Sequence, residues 1–170
     1  MERREPDLVG DETTLLGQFL DYYRATIVRK VEGLTKEQMG HRIEPSTLTL
    51  GGLVKHLALV EDSWFQERLL GRETAEPWAS VDWAATPDWD MDSAVDDDPA
   101  DLVAMYTAAC ERSRQATAEA GDLDFVMLRP NRRGEHMSLR WILLHMIEET
   151  ARHAGHADLL RETLDGVTGD

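Results

Sequence analysis

Apolar residues recur along this chain at spacings of three, four and seven, the pattern of helices that bury one face. Leu15, Leu16, Phe19, Leu20, Tyr23, Ile27 and Val31 follow Asp11, a residue type suited to the N-cap, and Gly33 marks the stop. Thr35-Lys36-Glu37-Gln38 has the form of a capping box and predicts a short helical turn. A second long helix starts near Thr49, after Pro45-Ser46-Thr47, and carries Leu53, His56, Leu57, Val60, Trp64 and Leu69 before Gly71. Asp98-Pro99 opens a third, an N-cap followed by proline at the first helical position, which runs through Leu102, Val103, Tyr106, Ala109 and Cys110 to Gly121. The fourth begins after Ser138 and reaches about Leu164, a length of roughly 39 Å at the α-helical rise.

No internal repeat and no convincing alternating strand interrupts this pattern. Only the stretch from Asp122 to Met137 leaves room for a hairpin, with Pro130-Asn131-Arg132-Arg133-Gly134 as its turn. The expected fold is all-α: an antiparallel four-helix bundle, one domain over residues 1–170, with a long acidic loop between the second and third helices. That loop, from about Glu73 to Asp97, holds Trp78, Trp83 and Trp89 together with Asp88, Asp90, Asp92, Asp96 and Asp97. A loop of this length in a small domain is functional or mobile. Its aspartates lack the glycine and terminal glutamate of a calcium loop and read as solvated.

Charge narrows the partners. Lys plus Arg is 18 against 33 Asp plus Glu, a formal net charge of −15. Such a surface disfavours phosphate backbones and anionic membrane faces, so neither nucleic acid nor membrane is expected as a partner. The N-terminus lacks the apolar core of a signal peptide and no run of about 18 uncharged apolar residues exists, which reads as a cytoplasmic chain. Cys110 stands alone on an apolar stripe, so it makes no intramolecular disulfide and reads as a buried structural thiol. Among the basic residues only Lys30, Lys36 and Lys55 are lysines, a skew that points to GC-rich coding and an actinobacterial source.

The chemistry concentrates on the last helix. His145, Glu149 and His153 are four apart and share one face, with His156 beside the end of that column. Two imidazoles and a carboxylate resemble a metal-ligand set, and a catalytic divalent site takes about three protein ligands plus an open position. A straight column separates i from i+8 by about 12 Å, so a third donor has to come from a facing helix. His56, alone among apolar neighbours on the second helix, is the candidate. Spacing leaves the bland reading equally open, with His56 and His145 hydrogen-bonded in the core and Glu149–His153 as a surface pair. A di-iron centre is excluded, because no Glu stands three residues before any of these histidines.

Other groups carry two readings each. Arg129, Arg132, Arg133 and Arg140 either hold the carboxylates of a cofactor or substrate or pair with the acidic loop, the latter being favoured. Trp64 and Trp141 read as core anchors. Glu61, Glu148 and Asp158 either orient ligand imidazoles from behind or are ordinary surface acids.

The segment His56-Leu-Ala-Leu-Val-Glu61-Asp62-Ser-Trp64, taken with Glu149-Thr-Ala-Arg-His153-Ala-Gly-His156-Ala-Asp158-Leu-Leu-Arg161, resembles the DinB superfamily. The likeness runs from about Leu15 to Gly169 and is strongest to its DUF664 branch of actinobacterial proteins. It implies a four-helix bundle in which the second and last helices hold a divalent metal through three residues. Some members, including bacillithiol transferases and a mycothiol-dependent maleylpyruvate isomerase, bring a low-molecular-weight thiol to that metal.

Carried over by position, the resemblance implies His56, Glu149 and His153 as ligands. Many members have histidine where Glu149 stands, and this departure leaves the ion open among Zn, Ni, Mn and Fe, with zinc foremost. His145, His156, Glu61, Arg133 and Arg140 are then groups that back the ligands or meet substrate. The implied function is a metal-dependent, mycothiol-type thiol transferase or isomerase acting on a small electrophile. The alternative is a non-catalytic, metal-stabilised binding or stress-response module. The tryptophans of the loop offer apolar anchors for a homodimer.

Overall fold

The computed structural model describes residues 1–131 and 133–168, so Arg132 and the end of the tail, Gly169 and Asp170, lie outside the described residues. The fold is an all-α bundle. Helix α1 (Glu12–Val31) is capped by the Asp11 carboxylate, which accepts from the Thr14 backbone N–H. Helix α2 (Lys36–Met39) carries the capping box read from Thr35 and Gln38. Helix α3 (Leu50–Glu61) is capped by Thr49, α5 (Pro99–Ala120) by Asp98, and α6 (Leu139–Asp165) by Ser138. Gly121 and Gly166 end the last two in the left-handed conformation that glycine adopts without strain.

Helix α1 packs along α6, and α3 along α5. One half of the core gathers Ile27, Leu53, Leu57, Tyr106 and Ala157, while the other gathers Leu20, Phe65, Leu69, Leu139 and Met146. Between them a charged pair is sealed in: Arg24 donates to both oxygens of Glu61, at 2.7 and 2.6 Å, with neither side chain reaching solvent.

The second long helix is not uniform. After Glu61 it continues to Leu69 as a π-helix, Asp62–Leu69, whose wider turns the apolar spacing does not distinguish from α. The stretch between Asp122 and Met137, which leaves room for a hairpin, holds one isolated bridge, Val126 to Ser138, with no strand among the described residues. Its backbone bonds across itself, from the Met127 amide to the Met137 carbonyl, and to the end of the π-helix, where the amides of Leu128 and Arg129 donate to the carbonyls of Leu69 and Arg68. The Gly134 amide, at positive φ, donates to the Asn131 carbonyl.

The acidic segment departs furthest from expectation. It folds into a 3-10 turn at Trp78–Ser80, a short helix α4 at Trp89–Asp92 and a second 3-10 turn at Ser93–Asp96. Trp78 is buried and its indole N–H donates to Asp62 at 3.0 Å. The solvated reading fails for two of the aspartates. Asp97 accepts from the buried Lys55 ammonium at 2.6 Å, and Asp90 is itself buried. Gly52 lets α3 come this close, because a Cβ there would stand 3.1 Å from the carbonyl oxygen of Met91 and 3.2 Å from its sulfur. The loop is therefore fastened to α3 beside His56.

Candidate metal centre

Three side chains from two helices meet on the α3–α6 seam. One donor atom from each of His56, Glu149 and His153 lies within 4.8 Å of the other two. The Glu149 Oε1 atom stands between the rings, 3.5 Å from His56 Nε2 and 3.2 Å from His153 Nε2. Helical geometry explains the pair on α6, since residues four apart stack on one face. The third donor arrives because His56 sits on the face of α3 that packs on α6, its ring centroid 5.1 Å from that of His153.

Each imidazole is held from behind. His56 Nδ1 lies 2.7 Å from Oδ2 of Asp90, and a carboxylate only accepts, so Nδ1 carries the hydrogen. His153 Nδ1 lies 3.4 Å from His156 Nδ1. Burial, followed by the nearby His153 and Arg152, lowers the His156 pKa, which favours a neutral ring that can donate to or accept from His153 there. Such backing is how proteins fix the tautomer of a ligating histidine.

The donor set passes a test of fit on its own chemistry. In the tautomer with hydrogen on Nδ1, each neutral ring turns an Nε2 lone pair toward the Glu149 carboxylate. Three acceptors so close together require a proton or a cation between them. Without a metal, Nε2–H hydrogens of the two rings take that place. Burial alone would lower the His56 pKa, but the hydrogen bonds to Asp90 and Glu149 outweigh it and raise the value to about 9. Glu149 is held well below the usual carboxylate range by its hydrogen bonds to His153 and His56. Two nitrogens and one oxygen converging in this way suit a borderline divalent ion such as zinc.

Other residues singled out from the sequence fall elsewhere. His145 shares the α6 column but turns to the aromatics, stacked on Trp141 at 5.0 Å and edge-on to Trp64 at 4.9 Å. Trp141 is 43% exposed and is not the core anchor its apolar neighbours suggested. Glu61 is spent on Arg24, and Asp158 pairs with Lys30 at 2.8 Å. Arg140 pairs with Glu12 and Asp124, outside the acidic segment, whereas Arg129 reaches Glu73 at 3.5 Å. Arg133 is exposed on the turn after Asn131. The acceptor that sequence reading missed is Asp90, one aspartate among many in its segment.

A helical bundle whose α3 and α6 converge two histidines and a carboxylate is a DinB-like protein, and comparison with known families agrees. The model of the Mycothiol-S-transferase family matches residues 15–166, and the chain belongs to that family. No curated protein matches it. No helix is long and apolar enough to cross a membrane among the described residues.

Proposed function

We propose that this protein is a metal-dependent transferase that joins a mycothiol-type thiol to a small electrophile, with His56, Glu149 and His153 holding the ion. The observation that carries this reading is the convergence of three potential donor atoms from α3 and α6, with Asp90 and His156 standing at the Nδ1 atoms of the two rings. A bound divalent ion, zinc foremost, would supply the positive charge that makes a thiol a thiolate at neutral pH. Glu149 adds one negative charge to the set, which tempers the ion without neutralising it. Asp90 keeps Nε2 of His56 available as a donor, and His156 does the same for His153.

The thiol has to come from outside the chain. Cys110 is fully buried on α5, and burial together with the nearby Glu61 carboxylate pushes its pKa far above the usual thiol range. A cavity of about 490 Å³, lined by His56 and Asp90, opens beside the centre and can take a small molecule. The same reading takes residues 1–170 as one domain working in the cytoplasm.

Incubating zinc-, nickel-, manganese- or iron-loaded protein with mycothiol and a fluorogenic electrophile such as a bimane tests the reading. Conjugate formation lost on His153→Ala, with the fold retained by circular dichroism, is the expected result. If no ion supports conjugation while metal still raises the melting temperature, the site is a structural clip and the transferase reading is wrong.

A further inference from the structure

The cavity beside His56 lies between the α3–π-helix and the tryptophan-rich segment, and its polar lining is unusual. Arg68 lines it with a buried Nε–H that has no hydrogen-bond partner among the described residues. Its guanidinium carbon sits 5.0 Å from the Trp64 ring centroid. Glu67, Thr74 and the exposed Asp88 line the same space, and Asp88 caps no helix with its side chain. Trp83 also faces it, with its indole N–H already donated to the Trp78 carbonyl, so the ring offers an apolar surface.

These groups constrain what can fill the space. A guanidinium only donates and a carboxylate only accepts, so one ligand serving both must itself donate and accept. A simple anion would meet Arg68 but be repelled by Glu67 and Asp88, and a simple cation would suffer the reverse. Neutral hydroxyl groups satisfy all three, and the C–H faces of a sugar ring suit indole surfaces. The volume of about 490 Å³ falls in the range of small-molecule sites, about 300–1,000 Å³. The π-helix contributes as well. Its wider turns rotate each residue less than α turns do, which brings Arg68 round toward the side of His56.

We infer that this cavity is a binding site for a neutral polyhydroxylated group, with Arg68, Glu67 and Asp88 as its hydrogen-bonding residues and Trp64 and Trp83 as its walls. The inference deepens the transferase reading and rests on it for orientation. The amino sugar and inositol of mycothiol would occupy the cavity while the sulfur points past His56 to the seam.

Calorimetric titration with the N-acetylated, thiol-free glucosaminyl-inositol body of mycothiol, which is neutral, on metal-loaded and metal-free protein, tests the site without needing turnover. Saturable binding is expected in both forms, weakened about tenfold or more by Arg68→Ala and by Glu67→Gln, as for hydrogen bonds to charged groups. Thermal melts confirm that each variant is folded, and Glu67→Gln, which removes only a charge, carries the test if Arg68→Ala is unstable. Binding that depends on Arg68 and Glu67 in a protein that transfers no thiol upholds the cavity and ends the transferase reading. Thiol transfer in a protein that does not bind the sugar, or binds it equally in both variants, overturns the cavity assignment. So does Arg68-dependent binding of benzoate with none of the sugar, which would make it an anion site.

Discussion

Oδ2 of Asp90 lies 2.7 Å from Nδ1 of His56, joining the acidic segment to α3 across thirty-four positions of sequence. Through this contact a loop aspartate sets which nitrogen of His56 faces Glu149. Asp90→Ala frees the ring and should lower divalent-ion affinity by about 10–100-fold. Asp90→Asn keeps an acceptor and should lose less. Chelator competition measures both, and an unchanged affinity in Asp90→Ala would show that the contact does not steer the ligand.

Metal and proton compete at the same nitrogen. With its pKa raised to about 9, His56 in the metal-free protein is doubly protonated at neutral pH. An ion must displace the Nε2 proton, so affinity should climb by up to about tenfold per pH unit and level off above about 9. Titrations in buffers of different ionisation enthalpy should report about one proton released from this residue at neutral pH. Affinity that falls as pH rises below that plateau contradicts the assignment.

Cys110 should behave as packing. Its pKa is raised by burial, so the neutral thiol persists through neutral and mildly alkaline solution and should resist a disulfide reagent until the chain unfolds. Cys110→Ala should cost about 1 kcal/mol of stability and leave thiol transfer intact. Rapid labelling of the native protein would place that thiol in a different environment.

The Arg24–Glu61 pair separates stability from chemistry. Glu61→Ala strands a buried guanidinium, a change that costs about 3–5 kcal/mol, here toward the lower end because Asp21 still touches Arg24 at 2.9 Å. Denaturant unfolding should show the loss, while the folded fraction binds metal as tightly as the parent. A change in ion affinity without a change in stability would mean that Glu61 belongs to the centre after all.

Gly52→Ala tests the fastening of the loop. The added methyl would press on the carbonyl oxygen and sulfur of Met91, the residue after Asp90. Expected are a loss of about 1–3 kcal/mol by overpacking and a weaker metal site, the second effect being absent from substitutions of α3 residues that touch neither the acidic segment nor the centre. Parent-like melting and metal affinity would show that α3 and α4 can part without consequence.

Much of this arrangement is legible from residue spacing. Glu149 and His153 share a face by helical periodicity alone, and His56 stands out as a polar side chain in an apolar run. The helix ends follow their caps at Asp11, Thr49, Asp98 and Ser138. Asp90 was not legible, because burial of one aspartate among several depends on how Trp78, Lys55 and Gly52 dock the segment, and no local pattern encodes that. The π-helix was hidden for a related reason: Trp64 and Leu69 satisfy either winding. The stretch from Asp122 to Met137, the one place left for a hairpin, bonds across itself from Met127 to Met137 and also to Leu69 and Arg68 of the π-helix, without forming a strand among the described residues.

Wide turns at Asp62–Leu69 also make the chain sensitive to residue count. Inserting one more residue there, where the turns are already wide, would turn everything beyond it by about 100°. Leu69 would leave the core, and the carbonyls that tether Leu128 and Arg129 would swing away. A length change of one, harmless in most surface loops, would here unfasten the second half of the bundle from the first.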